Sequence, residues 1–325
     1  MVLFLNEADV QQLITMPLAL EQVECALKDR ALGRAVDMPR ARIQTAAGIQ
    51  HVLQACAPEL GYIGFKYYFS PPGRRGPTYV HLINMQTAKL EAIVEGVTLG
   101  MTRTGAASGV ASKYLANPGA SVLAQLGAGY QGMGQLEAVV HALNIREARV
   151  YARTRDKLEA WCKKMTDKLG IPVIPAASGA EALKGAQVVN IMTKSTTPVI
   201  DGDWLQPGQH VNAAGSNALS RAEIDAKTIA RCQLITVDSR GTARNECGDL
   251  LSAVEKGWLR WDHLTEIGEV ITKKAPGRTA AKQITLYESH GMGAQDLWIG
   301  AKAVALSRER GVGTDLPVGN FALRA

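Results

Sequence analysis

Residues 121–143, SVLAQLGAGYQGMGQLEAVVHAL, constrain the fold more than any other stretch of the chain. A run with the character of a buried strand enters GAGYQG and then an amphipathic helical pattern, the context in which a GxGxxG spacing carries meaning. Each glycine has a separate physical task. Gly127 allows the tight turn, Gly129 lets backbone approach a phosphate without a Cβ in the way, and Gly132 lets helix and strand pack closely. The helix start adds unpaired N–H groups and the positive end of its dipole. The turn is therefore expected to hold a dinucleotide pyrophosphate on Gly127, Ala128, Gly129, Tyr130 and Gln131.

The surroundings of the turn strengthen this reading. Apolar runs at 121–126, 148–152, 172–175, 186–193, 210–215 and 232–238 alternate with helical or loop segments. Six such runs predict an α/β fold built on a doubly wound parallel sheet of the Rossmann type. Ser178 and Glu181 have the spacing of a capping box before one of the intervening helices. The alternation begins only after Asn117-Pro118-Gly119, which ends a small-residue helix over 99–115. Before that helix, helical patterns over 7–15 and 18–32 precede β-forming segments at 41–44, 52–55, 63–69 and 79–85. They predict a smaller α+β domain over 1–117 with a largely antiparallel sheet, followed by a dinucleotide-binding domain over 118–296. Beyond Asp238, SRGTARNECGDLLSAVEKG reads as a loop entering a helix. An amphipathic helix over 295–310 is expected to return, within 297–325, to the first domain.

The end of the second strand bears on which nucleotide is bound. An acid there accepts from the ribose hydroxyls in an NAD-type site, but this chain reads ARVYARTRDK. Ala152 stands in that place and Arg153, Thr154, Arg155 and Lys157 follow, a set that suits a 2′-phosphate. NADP(H) is thus the preferred cofactor, with NAD(H) the alternative. Thr193 and Ser216 fall at strand ends, where the crevice above a doubly wound sheet opens.

Composition excludes several other classes. No run reaches the roughly 18 apolar residues that cross a bilayer, so a cytoplasmic protein is expected, with no membrane partner. The net charge is +6, but Lys and Arg are spread along the chain rather than gathered in a run or interleaved with aromatics. That distribution argues against nucleic acid and suits a protein that handles phosphates and carboxylates. Cys25, Cys56, Cys162, Cys232 and Cys247 are odd in number and scattered, with neither CxxC nor metal-ligand spacing, and are read as reduced thiols without a metal.

Six segments in order, RTGAASGVASKYL, LGAGYQ, VYARTRDK, HVNAAGSNALSRAEID, NECGDLL and GMGAQD, resemble the ornithine cyclodeaminase and mu-crystallin family over nearly the whole chain. The resemblance implies a substrate and dimerisation domain made from the N-terminal part plus the last helix, a Rossmann domain between them, and a homodimer. It also implies that Arg40 and Arg103 bind a substrate carboxylate, for which a guanidinium fork offers two parallel donors. Lys66 in turn looks like the lysine that contacts the substrate carboxylate or nitrogen, and burial lets such a lysine lose its proton near neutrality. Arg40 is preferred over Arg42, which lies two residues away on one strand face.

Thr104 and Met292 join the cofactor set by the same resemblance, and Gly293 and Asp296 belong to a segment that approaches the nicotinamide. Leu53, Tyr67, Tyr68 and Met85 are read as pocket lining, and His81 and His290 as candidate proton donors. In two places the sequence departs from the cyclodeaminase branch. Leu53 stands where that branch has Glu thirteen residues before the lysine, and Asn217 where it has Asp after the fifth strand. Asn217 can hydrogen-bond an amine or imine but cannot take its proton. The expected catalytic set is therefore Lys66, Arg40, Arg103 and Asn217, acting on a small carboxylate-bearing imine or amino acid by NAD(P)H-dependent reduction of C=N. An ornithine cyclodeaminase-like ammonia lyase and a non-enzymatic NADPH-binding protein are the alternatives.

Overall fold

Two sheets divide the chain where its periodicity changes. The computed structural model describes residues 1–74 and 76–318; residues 319–325, the end of the segment expected to return to the first domain, lie outside the described residues. The first sheet has seven strands in the order Thr314–Leu316, Val2–Leu5, Leu90–Glu95, Thr78–Asn84, Tyr62–Ser70, Gly48–Ala57, Val36–Thr45. All its pairings are antiparallel except Val2–Leu5 with Leu90–Glu95. Helices Glu7–Leu13 and Met16–Ala31 accompany it, started by the side chains of Asn6 and Thr15, which accept from first-turn N–H groups.

The second sheet is wholly parallel and has eight strands. Their order is Thr265–Glu266, Leu234–Val237, Thr285–Glu288, His210–Ala213, Val188–Ile191, Val122–Leu126, Glu147–Tyr151, Val173–Pro175. All six expected strands are present, and two unexpected ones join them. Thr265–Glu266 is too short to show any period. Thr285–Glu288 inserts between the fifth and sixth expected strands, and the polar ESH that follows it obscures its apolar character. The Ser178 hydroxyl does accept from Glu181 N–H at 3.1 Å, but the Glu181 carboxylate turns to Ala177 N–H, so the capping box is half formed.

The last helix, Gly293–Arg310, returns to the first sheet and lies against Gly48–Ala57 and Tyr62–Ser70. It is not the one-sided amphipathic helix expected over 295–310. It is buried on nearly all sides from Gly293 to Gly300, and Trp298 sits in the core that also holds Leu82, Val94 and Leu99. None of the helices among the described residues is long and apolar enough to cross a membrane.

The small-residue helix, Val97–Leu115, joins the two halves by crossing the helix that follows the Gly-rich turn, Tyr130–Ala142. Its small side chains permit backbone contact at the crossing. A Cβ on Gly105 would stand 2.1 Å from the Gly134 carbonyl oxygen, and one on Gly109 2.9 Å from that of Ala138. Gly105→Ala should therefore force the helices apart at a cost of about 1–3 kcal/mol, the usual range for overpacking. Urea denaturation checks this, and an unchanged midpoint would refute the contact.

Candidate active site

The Gly-rich turn is built as its spacing predicts. Gly127 has φ 111° and donates its N–H to Tyr151 O at 2.9 Å, and a Cβ there would meet Met192 O at 2.1 Å. Gly132 packs against the turn itself, with a Cβ landing 2.8 Å from Gly127 O. A Cβ on Gly129 would meet nothing within 4 Å. No atom of the described residues requires glycine at that position, which leaves room for a group lying against the first turn of Tyr130–Ala142. Gly129 caps this helix without a side-chain bond, so its leading N–H groups face that space and the residues fit a bound pyrophosphate. Ala128 and Gln131 are half-buried beside the turn and Tyr130 is exposed.

The buried amide of Gln125 fixes both ends of the turn, donating to Gly127 O at 3.0 Å and Gly132 O at 2.9 Å. A polar ladder continues across the sheet, because Asn190 donates to Gln125 at 3.4 Å and Asn212 donates to Asn190 and to Ser112 at 2.9 Å each. These amides show in the sequence only as polar interruptions of apolar runs.

The other residues expected at the cofactor are placed as follows. Thr104 is half-buried and its hydroxyl donates to Gly100 O at 2.6 Å, while its carbonyl accepts from Gln135 at 3.1 Å. Thr193 gives both its N–H and its hydroxyl to the buried Glu223 carboxylate. The buried Ser216 hydroxyl donates to loop carbonyls. Arg153, Thr154 and Arg155 are exposed where Glu147–Tyr151 passes into the helix Arg155–Leu169, and their side chains have no partner among the described residues. Met292 departs from expectation. Its side chain is packed into the apolar core at 1% exposure, since it leads directly into the buried last helix, and it does not face the crevice.

The substrate-site candidates meet on the inward face of the first sheet. Strand alternation brings Lys66, Tyr68, Leu53 and His51 to this face, with Leu53 opposite Lys66 and His51 opposite Tyr68. The same alternation sends Tyr67 and His81 to the other face, so neither lines this pocket, and His81, stacked on Phe65 at 4.6 Å, cannot give a proton there. Met85 is exposed beyond the end of its strand.

Lys66 and Arg103 both bind Asp296, from the first turn of the last helix. Lys66 Nζ lies 2.8 Å from Oδ1 and 2.6 Å from Oδ2, and Arg103 Nε lies 3.0 Å from Oδ1, with all three side chains buried. Burial pulls the Lys66 ammonium down, the Arg103 charge adds to this, and Asp296 opposes both, leaving it at about 7. Arg40, buried as expected, donates to Tyr68 Oη at 2.8 Å and His290 O at 2.6 Å, with Nε 3.4 Å from Glu246. The half-buried Arg42 lies 3.1 Å from the other Glu246 oxygen and donates to Asn217 O at 2.8 Å. Asn217 is thus held through its backbone.

Asp238 holds the loop that carries His290. It accepts from the Tyr287 and Ser289 hydroxyls and from the N–H groups of His290 and Gly291, the last two at 2.8 Å. Gly291, at φ 79°, lies so close that a Cβ would stand 2.1 Å from Arg103 Nη1. Burial lowers the His290 imidazole to about 4, which makes it neutral and a poor proton donor near pH 7. All five cysteines are free. The fold brings Cys247, Glu288 and His290 within 4.8 Å of one another, a grouping invisible in their spacing. Burial raises the thiol and the carboxyl well above their usual ranges, so this cluster is uncharged. Asp296, Glu246, Asp238 and Gly291 were not identified as anchors from the sequence, and acids embedded in apolar surroundings were the available signal.

Residues 2–307 match the model of the ornithine cyclodeaminase/mu-crystallin family. Among curated relatives, a Delta(1)-pyrroline-2-carboxylate reductase of Bacillus cereus is 30% identical over 97% of this chain and 99% of its own length. The mouse ketimine reductase mu-crystallin is 32% identical over 69% of this chain and 67% of its own. The solved structure of Thermococcus litoralis Delta(1)-pyrroline-2-carboxylate reductase with NADH and L-proline superposes with a TM-score of 0.93 at 29% identity, covering 97% of this chain and all of that one. The chain belongs to the ornithine cyclodeaminase/mu-crystallin family.

Proposed function

We propose that this protein is an NAD(P)H-dependent reductase of the C=N bond in a small imine or ketimine derived from an amino acid. The observation that carries the reading is the buried Lys66–Asp296–Arg103 cluster beside Arg40, with no carboxylate at positions 53 and 217. The activities named for the Bacillus and mouse relatives support it. When bound, the nicotinamide supplies a hydride to the carbon of C=N. Arg40 and Arg103 hold the α-carboxylate and so fix the reacting carbon. The Lys66 ammonium gives its proton to the nitrogen, which completes the amine, and Asn217 offers that nitrogen or a water a hydrogen bond. Asp296 keeps Lys66 charged near neutrality and aims Arg103. Deaminating cyclisation needs a carboxylate base, which neither Leu53 nor Asn217 supplies.

Three finer assignments belong to this proposal. NADPH is preferred over NADH, because Ala152 leaves no acid at the ribose and Arg153 and Arg155 are free to meet a 2′-phosphate. The protein is a homodimer, since the outer side of the first sheet exposes Val36, Met38, Ile43 and Ile63. It works in the cytoplasm, where its free thiols remain reduced.

Oxidation of NADPH is expected with cyclic ketimine acids, or with pyruvate or glyoxylate plus ammonia or methylamine. On that assay kcat/KM for reduction should fall as pH rises through about 7, because Lys66 must be protonated to act, and Asp296→Asn should move the fall to lower pH. No turnover across the panel with cofactor binding intact overturns the reading. KM for NADPH should lie about tenfold or more below that for NADH, and Arg155→Ala should narrow the gap, as loss of a charge-assisted bond would. A preference for NADH refutes the nucleotide assignment. Sedimentation equilibrium should give twice the chain mass, and a monomer would refute the dimer.

A further inference from the structure

The site holds more positive charge than one substrate carboxylate requires. Four cations, Arg40, Arg42, Lys66 and Arg103, share two carboxylates, Glu246 between the first pair and Asp296 between the second. Two further acids lie nearby, and neither is ion-paired with these four cations among the described residues. Asp238 is bound by the N–H groups of the loop beneath, and Asp37 accepts from Ala294 N–H at the start of the last helix. An α-carboxylate on Arg40 and Arg103 leaves Arg42, on the same inward face, with only its share of Glu246.

Arg42 belongs to a distinct row of side chains. Along the inward face, Leu53 and Lys66 form one row, and Arg42, His51 and Tyr68 form the next. Successive rows on one face are about 7 Å apart, a gap that a short carbon chain bridges. The His51 ring stacks on Tyr68, with centroids 4.4 Å apart and planes 12° from parallel. His51 is 8% exposed, and its Nδ1 is buried with no partner among the described residues. Among the described residues only Nη2 of Arg42 is engaged, by Glu246 and Asn217 O, and the side chain is 25% exposed, so its remaining donors are open to a ligand.

Resting on the proposed C=N reduction, we propose that Arg42 and His51 bind a second carboxylate, making the substrate a dicarboxylic imine. Arg42 supplies the charge and parallel donors for the distal carboxylate. His51 stays neutral, since burial and the charges of Arg40, Arg42 and Lys66 lower it to about 4, and it adds a donor without further charge. Leu53 and Asn217, in place of acids, remove the groups that would repel an anion and retain an ammonium.

The test compares imines formed from oxaloacetate or 2-oxoglutarate with methylamine against the imine of pyruvate with methylamine and a cyclic monocarboxylic ketimine. The dicarboxylic imines should show a kcat/KM at least about tenfold higher. Arg42→Gln should lose about tenfold more with the dicarboxylic imine than with the pyruvate imine, through KM, and Arg42→Lys should keep the preference. His51→Ala should shift it in the same direction by less. Preference of the wild-type protein for monocarboxylic imines, or equal losses with both classes in Arg42→Gln, overturns the second carboxylate and leaves C=N reduction standing. No turnover of either class overturns both.

Discussion

One buried carboxylate ties the first sheet, the small-residue helix and the last helix together. Asp296 accepts from Lys66 on a strand and from Arg103 on the helix, and it comes from a segment some two hundred residues further along the chain. Buried cations lacking a counter-charge are strongly destabilising, about 3–5 kcal/mol when one partner of such a pair is removed. The last helix must therefore return with its first turn over the inward face of the sheet. Its loop is positioned by the same requirement: Asp238 gathers the N–H groups of His290 and Gly291, Gly291 lies against the Arg103 guanidinium, and the His290 carbonyl receives Arg40.

The nucleotide turn is connected to this cluster by backbone rather than by charge. Arg103 lies two residues before Gly105, where the helix touches Gly134 in the helix that begins at the turn. On the sheet side, Gln125 clasps the turn, and the ladder through Asn190 and Asn212 ends on Ser112 of the same small-residue helix. His210, at the far end of this ladder, is lowered to about 3 by burial and stays neutral, so the network is a set of dipoles. Fully bonded buried dipoles fix geometry without the desolvation cost of charge. The middle and the C-terminal end of the small-residue helix are thus held, and Arg103 lies just before the first of these contacts.

Local chemistry made the Gly-rich turn and six parallel strands legible in the sequence, because a turn and a strand period are each written within a few residues, whereas Arg40, Lys66 and Arg103 stood out only through the family resemblance. Glu246 and Asp238 were hidden, and Asp296 was visible only as part of a nicotinamide segment, because their meaning lies in partners far along the chain. Thr285–Glu288 was hidden by length and by the buried polar residues that follow it. The misplacement of Tyr67 and His81 has a different cause. Once Lys66 points inward, the period of two sends Phe65 and Tyr67 outward, and pairing with Phe65 carries His81 with them. The phase is present in the sequence, but aromatics stand on both faces of Phe65-Lys66-Tyr67-Tyr68-Phe69 and mask the alternation.

Neutral residues at 53 and 217 alter what the same cluster can do. Carboxylates there would stabilise an ammonium and accept its proton, both of which elimination of ammonia requires. With Leu53 and Asn217 in place, Asp296 is the carboxylate bonded to Lys66, the charges of Arg103 and Arg40 oppose it, and a substrate nitrogen that arrives already protonated would be repelled. Under the proposed reduction, a neutral imine would take its proton from Lys66, whose own burial weakens its hold on that proton. The proton from lysine and the hydride together would leave a neutral amine, and the charge that lysine gives up would be matched by the one an oxidised nicotinamide gains, so no additional cation is created in the site. A surplus of cations that would obstruct deamination thus favours reduction.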